Sequence, residues 1–218
     1  RVIWSSCMVA CGDADGAVTG NTRRYGASLA KIKKVIETRP GEIMFGLNMI
    51  VNKGKTVFVG DTSVHEYPSS EQLAEIAISS ARVVRLFGFD PKIAFVSHST
   101  FGQPLTSRTK HIKDAVNILK EKNVDFKFDG DMQPDVALND EYKELYPFSE
   151  IVGNANILIM PGQHSAAISY KIMKTLGGAK VIGPLLIGLA QPIEIAPLRS
   201  STSEILNLAS VAAYSAEV

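Results

Sequence analysis

Two aspartates between glycines are the first residues of the chain whose types and spacing could support chemistry. Asp13 and Asp15 stand two positions apart in the run Gly-Asp-Ala-Asp-Gly over residues 12–16. Carboxylates at this spacing could hold a divalent cation or orient a substrate hydroxyl. The same run is typical of a tight turn whose Asp side chains accept hydrogen bonds from nearby backbone N–H groups. As a bare motif the turn is favoured, and the spacing of an EF-hand is missing.

A hydroxyl-rich segment, residues 97–108, follows a predicted strand and leads into a predicted helix. Ser97, Ser99 and Thr100 supply hydroxyls, and Arg108 places a guanidinium in the first turn of the helix. Helix N-termini favour anions, and an arginine can hold a phosphate through two hydrogen bonds. A phosphate site and ordinary capping of the helix, with the guanidinium in solvent, are equally open interpretations. The segment is neither a Walker loop nor a G-x-G-x-x-G, which disfavours ATP and dinucleotides.

The spacing of the histidines and cysteines gives little evidence for a catalytic or metal site. The histidines are His65, His98, His111 and His164. Their spacing to acidic residues indicates no triad, and only His98, inside the hydroxyl-rich segment, has a position that suggests a site. Cys7 and Cys11 lie four apart, so neither a disulfide framework nor a zinc site is indicated. The sequence predicts two reduced, mostly buried thiols and no metal.

The elements that must position these residues alternate along the chain. The predicted strands are Val2–Ala10, Thr56–Val59, Ile93–Ser97, Val124–Phe128, Ile157–Met160 and Val181–Ile187. The predicted helices are Ser69–Phe87, about Ser107–Lys122, His164–Leu176 and one beginning at Ser201. This alternation predicts an α/β fold with a largely parallel sheet covered on both faces. In such sheets ligands bind beyond the carboxyl ends of strands, where the hydroxyl-rich segment lies.

Composition excludes several classes of protein. The 218 residues carry 23 Lys and Arg against 22 Asp and Glu, a formal charge of +1, so a polybasic nucleic-acid surface is not expected. An apolar fraction of 45% is too high for disorder. The longest apolar run, residues 181–190, is far shorter than the roughly 20 residues of a membrane span. We expect a soluble, cytoplasmic protein with no membrane or nucleic-acid partner, cut from a longer polypeptide.

Taken together, these loops and helices resemble the phosphate acetyl/butyryltransferase family over essentially the whole chain. The matching blocks are residues 12–16, 70–77, 87–92, 97–100, 128–130, 160–161 with 169–171, and 181–188. The resemblance implies an α/β, three-layer α/β/α two-lobed fold of the isocitrate/isopropylmalate dehydrogenase-like type. It also implies that residues 1–25 end a first lobe mostly missing here, that 26–183 form the second lobe, and that 184–218 return to the first.

Enzymes of this family exchange an acetyl group between acetyl phosphate and coenzyme A. The resemblance implies a strip in which an Arg binds the acyl phosphate, an Asp helps to deprotonate the thiol and a Ser assists at the carbonyl. An ungapped alignment places Pro197 at that Ser, Leu198 at that Arg and Glu204 at that Asp. Removing one placed donor typically costs about 10²–10³ in rate. Arg199, one position further on, and Glu204 are the catalytic candidates if the domain is active, although Glu204 also fits a capping box with Ser201.

The departures make the chain most similar to the phosphotransacetylase-like C-terminal domain of bacterial hybrid NADP-dependent malic enzymes. The residues that favour this branch are Arg24-Tyr25, Ser97-His98-Ser99, Phe101-Gly102, Asp129-Gly130-Asp131-Met132 and Ala167. This resemblance implies a regulatory and oligomerisation domain, without acetyl transfer, that senses acetyl-CoA. NADP and a divalent metal are expected only in the absent malate-oxidising half, and no cofactor is expected in this chain.

Three functions remain open at this point. The first is a sensor that binds acetyl-CoA or a related acyl or phosphate ligand and assembles as a homo-oligomer. The expected ligand contacts are Ser97, Ser99, Thr100 and Arg108, with Asp13 and Asp15 shaping the cleft. The second is an active phosphate acetyltransferase, and the third is an oligomerisation scaffold that binds nothing.

Overall fold

The computed structural model describes residues 1–216, apart from the side chain of Arg108, and divides the chain into two compact units. The first contains residues 1–48 and 182–216, and the second contains residues 49–181. The helices are α1 Val2–Ala10, α2 Tyr25–Ile32, α3 Ser70–Leu86, α4 Ser107–Glu121, α5 Pro134–Leu138, α6 Gln163–Thr175 and α7 Thr202–Ala216. The strands are β1 Ala17–Gly20, β2 Phe45–Asn52, β3 Lys55–Gly60, β4 Lys92–Val96, β5 Lys127–Met132, β6 Ile157–Ile159, β7 Lys180–Ile187 and β8 Ile193–Ala196.

The second unit is built on parallel strands in the order β5-β4-β6-β3. Ile157 of β6 lies opposite Ile93 of β4 on one side and Phe58 of β3 on the other, and all three side chains are fully buried. Strands with both faces covered read as continuous apolar runs, which is why the sequence pattern located them. The predicted α/β fold with a mostly parallel sheet is confirmed.

The helix α3 begins as its sequence predicts. Ser69 accepts a hydrogen bond from the backbone N–H of Gln72, whose side chain in turn accepts from the Ser69 N–H. This reciprocal capping box satisfies two N–H groups that the first turn leaves without helical partners. The helix ends before Gly88, whose φ of +81° is the left-handed geometry that favours glycine.

Replacing Ser69 with Ala is expected to lower the free energy of unfolding by about 1 kcal/mol, because the cap is lost. Chemical denaturation of both proteins measures the difference. Ser107→Ala is the matched control, since Ser107 is an exposed serine at the start of α4, where Thr106 provides the cap. Equal losses in the two variants would show that the capping box contributes nothing of its own.

The first unit pairs β1 with β8 in parallel, with Val18 opposite Glu194. The helices α1, α2 and α7 contact this pair of strands. The strands β2 and β7 are neighbours, and each passes from one unit into the other along the chain. The short strands β1 and β8 and the longer strand β2 were not predicted from the sequence.

The prediction of a strand over Val2–Ala10 is wrong, because this segment forms α1. Its buried residues are Val2, Ser6 and Val9, spaced four and three apart as on one face of a helix. The hydroxyl of Ser6 donates to the Val2 carbonyl oxygen at 3.0 Å, a bond within the helix. Apolar residues such as Trp4 on the exposed face concealed the helical period in the sequence.

The expectation of buried thiols is also wrong. Cys7 and Cys11 form no disulfide. Both are exposed, because Cys7 lies on the solvent side of α1 and Cys11 follows its last turn.

The strand β5 begins at Lys127, three residues later than predicted. Over residues 1–216, no helix has both the length and the apolar character needed to cross a bilayer.

Candidate functional site

A cleft of about 380 Å³ lies in the second unit, where β3, β4 and β6 end and α4 and α6 begin. This is the edge of a parallel sheet at which ligands usually bind. The lining residues are Glu66 and Tyr67 after β3, Ser97 and His98 after β4, Thr109, His111 and Ile112 of α4, and Pro161, Gly162, His164 and Ser165 around the start of α6.

Asp61 positions the wall of the cleft that follows β3. Its fully buried carboxylate accepts hydrogen bonds from the backbone N–H groups of Ser63 at 2.8 Å, Val64 at 3.1 Å and His65 at 2.7 Å. The Nδ1 atom of His65 lies 2.8 Å from the same carboxylate. A carboxylate taken out of water needs such partners, and together they fix the segment that carries Glu66 into the cleft.

Asp131 holds the hydroxyl-rich segment in place in a similar way. Its buried carboxylate accepts a hydrogen bond from the Ser99 hydroxyl and another from the Gly102 N–H at 3.0 Å. The chain can approach β4 this closely because Gly130 precedes Asp131. A Cβ at Gly130 would lie 2.8 Å from the Phe95 carbonyl oxygen, and its φ of +148° also favours glycine.

The start of α6 forms the opposite wall. Gly162 allows this approach, because a Cβ there would lie 2.6 Å from the Glu66 carbonyl oxygen. Across the gap, the His164 Nε2 atom lies 3.1 Å from the Glu66 carboxylate, and both side chains are largely exposed. The ring of Tyr67 stacks on His164 with centroids 6.2 Å apart. The wall is thus polar, aromatic and open to solvent on one side.

The structure separates the predicted phosphate contacts into two groups. Ser97 lines the cleft, and His98 beside it is exposed there. Ser99 and Thr100 are buried, and their hydroxyls bond within the protein, to Asp131 and to the backbone N–H of Gln133 respectively. Arg108 lies in α4, and its side chain is outside the part of the chain that the structure describes.

The other predicted residues lie in the first unit. Asp13 and Asp15 are exposed in the turn after α1. Asp15 borders a hollow whose remaining walls are mainly alanines of α7 and the start of β1. Arg199 is exposed, with a φ of +62°, in the turn between β8 and α7. Leu198 beside it is 50% exposed and offers no charge.

Glu204 caps α7. Its Oε2 atom accepts hydrogen bonds from the Ser201 N–H at 2.8 Å and from the Ser201 hydroxyl at 3.0 Å, and its own N–H donates to the Ser201 hydroxyl at 3.3 Å. This is the reciprocal geometry of a capping box. The carboxylate that the resemblance places at the family's base is therefore engaged at the start of a helix.

If Glu204 acts as a cap, Glu204→Gln should leave the free energy of unfolding within about 0.5 kcal/mol of the parent, because glutamine also serves in a capping box. Glu204→Ala should lower it by about 1 kcal/mol. Thermal denaturation of the three proteins gives the comparison. A Gln variant as unstable as the Ala variant would contradict the capping role.

Glu194, in the middle of β8, is a buried acid that sequence analysis missed. It accepts a hydrogen bond from the Leu186 N–H at 2.9 Å and is 4% exposed. Burial raises the pKa of Glu194 to about 8, and the hydrogen bond from Leu186 opposes this only in part. The side chain is therefore protonated at neutral pH in the folded protein.

No signal of spacing could have located the acids that support the cleft, because Asp61 and Asp131 come from different strands. Each directly follows a glycine, Gly60 and Gly130 respectively, which is the available hint. Within residues 1–216, Arg108 side chain excepted, no group of three or more His, Cys, Asp or Glu side chains is placed to hold a metal ion.

Comparisons with known proteins cover nearly the whole chain. A family model described as phosphate acetyl/butaryl transferase matches residues 1–213. The NADP-dependent malic enzyme of Rhizobium meliloti is 45% identical over 98% of this chain and 28% of its own length. The phosphate acetyltransferase of Bacillus subtilis is 33% identical over 98% of this chain and 67% of its own length. A crystal structure of a phosphotransacetylase from Streptococcus pyogenes matches 99% of this chain and 67% of its own, with 30% identity and a TM-score of 0.93. The chain thus spans less than a third of the malic enzyme that it matches.

Proposed function

The chain belongs to the phosphate acetyl/butaryl transferase family, as its sequence predicted, and from this premise we propose that it is a regulatory domain that binds acetyl-CoA without transferring the acetyl group. The observation that carries the proposal is the engagement of Glu204 in the α7 capping box, with Pro197 and Leu198 where the resemblance implies a Ser and an Arg. A transferase needs a base for the thiol and donors for the developing oxyanion. Neither requirement is met at these positions.

The scaffold supports ligand binding even where the catalytic strip is altered. The fold matches a solved phosphotransacetylase at a TM-score of 0.93, and the cleft of the second unit is held by two buried acids. The buried side chains of Asp61 and Asp131 hold loops in place at the carboxyl edge of the sheet, where ligands bind in parallel α/β folds.

The remaining features of the proposal follow from the malic enzymes that the chain resembles. In the whole protein, an N-terminal half using NADP and a divalent metal oxidises malate and releases CO2 to give pyruvate, and this domain adjusts its rate. The domain also assembles as a homo-oligomer in the cytoplasm. We attribute to it the two-lobed fold type of the isocitrate dehydrogenases, for which the mostly parallel sheet is the support.

A second candidate function is active phosphate acetyl transfer. It is favoured by 33% identity to a phosphate acetyltransferase of which the chain covers 67%. Arg199 would then have to replace the missing Arg, and it is exposed one position beyond Leu198. Arg199→Ala would abolish the transfer in that case, whereas transfer that survived the substitution would exclude this role for Arg199.

The regulatory proposal is tested in a polypeptide that carries the chain behind a malate-oxidising domain. At malate concentrations below saturation, acetyl-CoA should slow malate oxidation by weakening malate binding, and bound malate should in turn weaken acetyl-CoA binding. Couplings of this kind change affinity about 5–150-fold, and the change is the same in both directions. Malate oxidation that is unchanged at saturating acetyl-CoA would overturn the proposal.

A further inference from the structure

The helices on the two faces of the second unit's sheet are buried to very different degrees. The helix α3 has 17 residues, and nine of them are buried. In α6, whose 13 residues are all described, Ala166 is the only buried residue. It joins an apolar cluster that contains Ala94 and Leu158 of the sheet and none of the described residues of α3 or α4. Because successive side chains of a strand point to opposite faces, α6 lies on the face away from α3.

The outer side of α6 carries an apolar stripe. Ile168, Ile172 and Leu176 follow one another at intervals of four residues, which places them along one side of the helix and its end. Each of these side chains is more than half exposed. A helix of a globular protein normally turns such a stripe toward the core. In the described chain, the stripe of α6 faces solvent instead.

A second group of exposed apolar residues lies on the same face of the sheet. Leu145 and Phe148, in the segment between α5 and β6, are also more than half exposed. The ring of Phe148 packs edge-on against Phe101, with centroids 4.8 Å apart, so its position is fixed. Phe101 and Tyr146 pack against the same apolar cluster as Met173 of α6. Large exposed apolar surfaces mark contacts with other molecules.

The two parts of this face carry opposite charge. Residues 163–180 contain three lysines and no Asp or Glu, whereas residues 135–148 contain four acidic residues and one lysine. That lysine, Lys143, is paired with Asp140 at 2.7 Å. The three lysines and the four acids are all exposed, and they are Lys171, Lys174 and Lys180, and Asp135, Asp140, Glu141 and Glu144. A two-fold axis would therefore bring the acidic part of each copy against the basic part of the other.

We propose that this face, formed by the stripe of α6 and the segment around Leu145 and Phe148, is the contact between two copies of the chain. A second copy fits better than an unrelated partner because the face is self-complementary, as a two-fold contact requires. Its exposed apolar residues with charged neighbours match the apolar core and polar rim of protein interfaces. The inference rests on the proposed function for the existence of a homo-oligomer, and it is independent of acetyl-CoA.

Sedimentation equilibrium of the chain tests the contact. The parent should have twice the 23.5 kDa mass of one chain. Ile172→Glu should raise the dissociation constant of the dimer about tenfold or more, because a charge would be buried among apolar residues. The side chain is exposed in a single copy, so circular dichroism should show an unchanged fold. Leu206→Glu, at an exposed leucine of α7, is the matched control and should leave the dimer intact.

Charge reversal tests whether the two parts of the face meet. Lys171→Glu with Lys174→Glu makes both parts acidic, and Glu141→Lys with Glu144→Lys turns the acidic part basic. Each double variant alone should be mainly monomeric, because like charges would face each other. An equimolar mixture of the two should form heterodimers, because opposite charges face each other again. A mixture that stays monomeric, or double variants that dimerise as the parent does, would overturn the inference.

Lys113→Glu with Lys120→Glu makes the same change of charge at exposed residues of α4 and should leave the dimer unchanged. A monomeric parent would overturn the inference, and so would a dimer that Ile172→Glu leaves intact, since the contact would then lie elsewhere. If such a chain still binds acetyl-CoA, the sensor proposal stands. A dimer that these substitutions dissociate, in a chain that does not bind acetyl-CoA, would retain the contact and exclude the sensor proposal.

Discussion

Replacing Asp61 with Ala is expected to lower the free energy of unfolding by about 3 kcal/mol and to abolish ligand binding in the cleft. The fully buried carboxylate accepts from three backbone N–H groups and contacts His65, and the substitution leaves all of these without that partner. Leaving buried donors unpaired costs about 1–3 kcal/mol for each group that stays dry. The segment that presents Glu66 and Tyr67 would also lose its support. Urea denaturation and acetyl-CoA titration measure the two effects.

Two further substitutions at aspartates sharpen this expectation. Asp61→Asn keeps one carbonyl oxygen for the Ser63 and Val64 N–H groups but places an amide N–H₂ toward His65, so an intermediate loss is expected. Asp90→Ala is the matched control, because Asp90 is 80% exposed and only approaches Lys92 at 4.0 Å. The free energy of unfolding of the Asp90→Ala variant should stay within about 0.5 kcal/mol of that of the parent. A loss at Asp90 as large as that at Asp61 would contradict the account.

Glu194→Gln is expected to stabilise the protein at pH 8 by several kcal/mol and to have little effect at pH 5. Burial raises the folded-state pKa of Glu194 to about 8 from an ordinary value of 4.5. Between these values the folded protein keeps a proton that the unfolded chain releases. The free energy of unfolding of the parent therefore falls by roughly 1.4 kcal/mol for each pH unit between about 4.5 and about 8. Above pH 8 both states have released the proton, so the loss accumulated over this interval remains and does not grow further.

The variant should lose this dependence because an amide does not titrate, while its oxygen can still accept from the Leu186 N–H. Urea denaturation of both proteins at pH 5 and pH 8 gives the comparison. Glu121→Gln, at an exposed residue at the end of α4, should show the same pH dependence as the parent. A Glu194→Gln variant with unchanged pH dependence would mean that the buried carboxyl is not the cause.

The sequence located elements whose signals are local. The helix α3 was predictable because Ser69 and Gln72 form its capping box and its apolar residues recur at helical spacing. The strands β3, β4 and β6 were predictable because both their faces are buried. The helix α1 was not, because its exposed face is as apolar as its buried face and the period is lost.

The position of the candidate site could be predicted from the sequence, but most of the contacts that form it could not. The hydroxyl-rich segment does follow β4 and line the cleft through Ser97. The partners that engage Ser99 and Thr100, namely Asp131 and Gln133, lie more than 30 residues further along the chain and meet them only in the folded sheet. The three histidines of the cleft come from three elements for the same reason. Contacts between distant segments leave no spacing in the sequence.

The most direct test of a domain that binds acetyl-CoA without transferring acetyl groups combines two readings on one sample. Thermal unfolding of the chain is followed with and without acetyl-CoA, and formation of thioester from acetyl phosphate and coenzyme A is assayed in parallel. A ligand at 100 times its dissociation constant stabilises by about 2.7 kcal/mol, which raises the unfolding midpoint visibly. A raised midpoint and no thioester are the expected results. An unchanged midpoint, or thioester formed at a rate that depends on the protein, would contradict the proposed function.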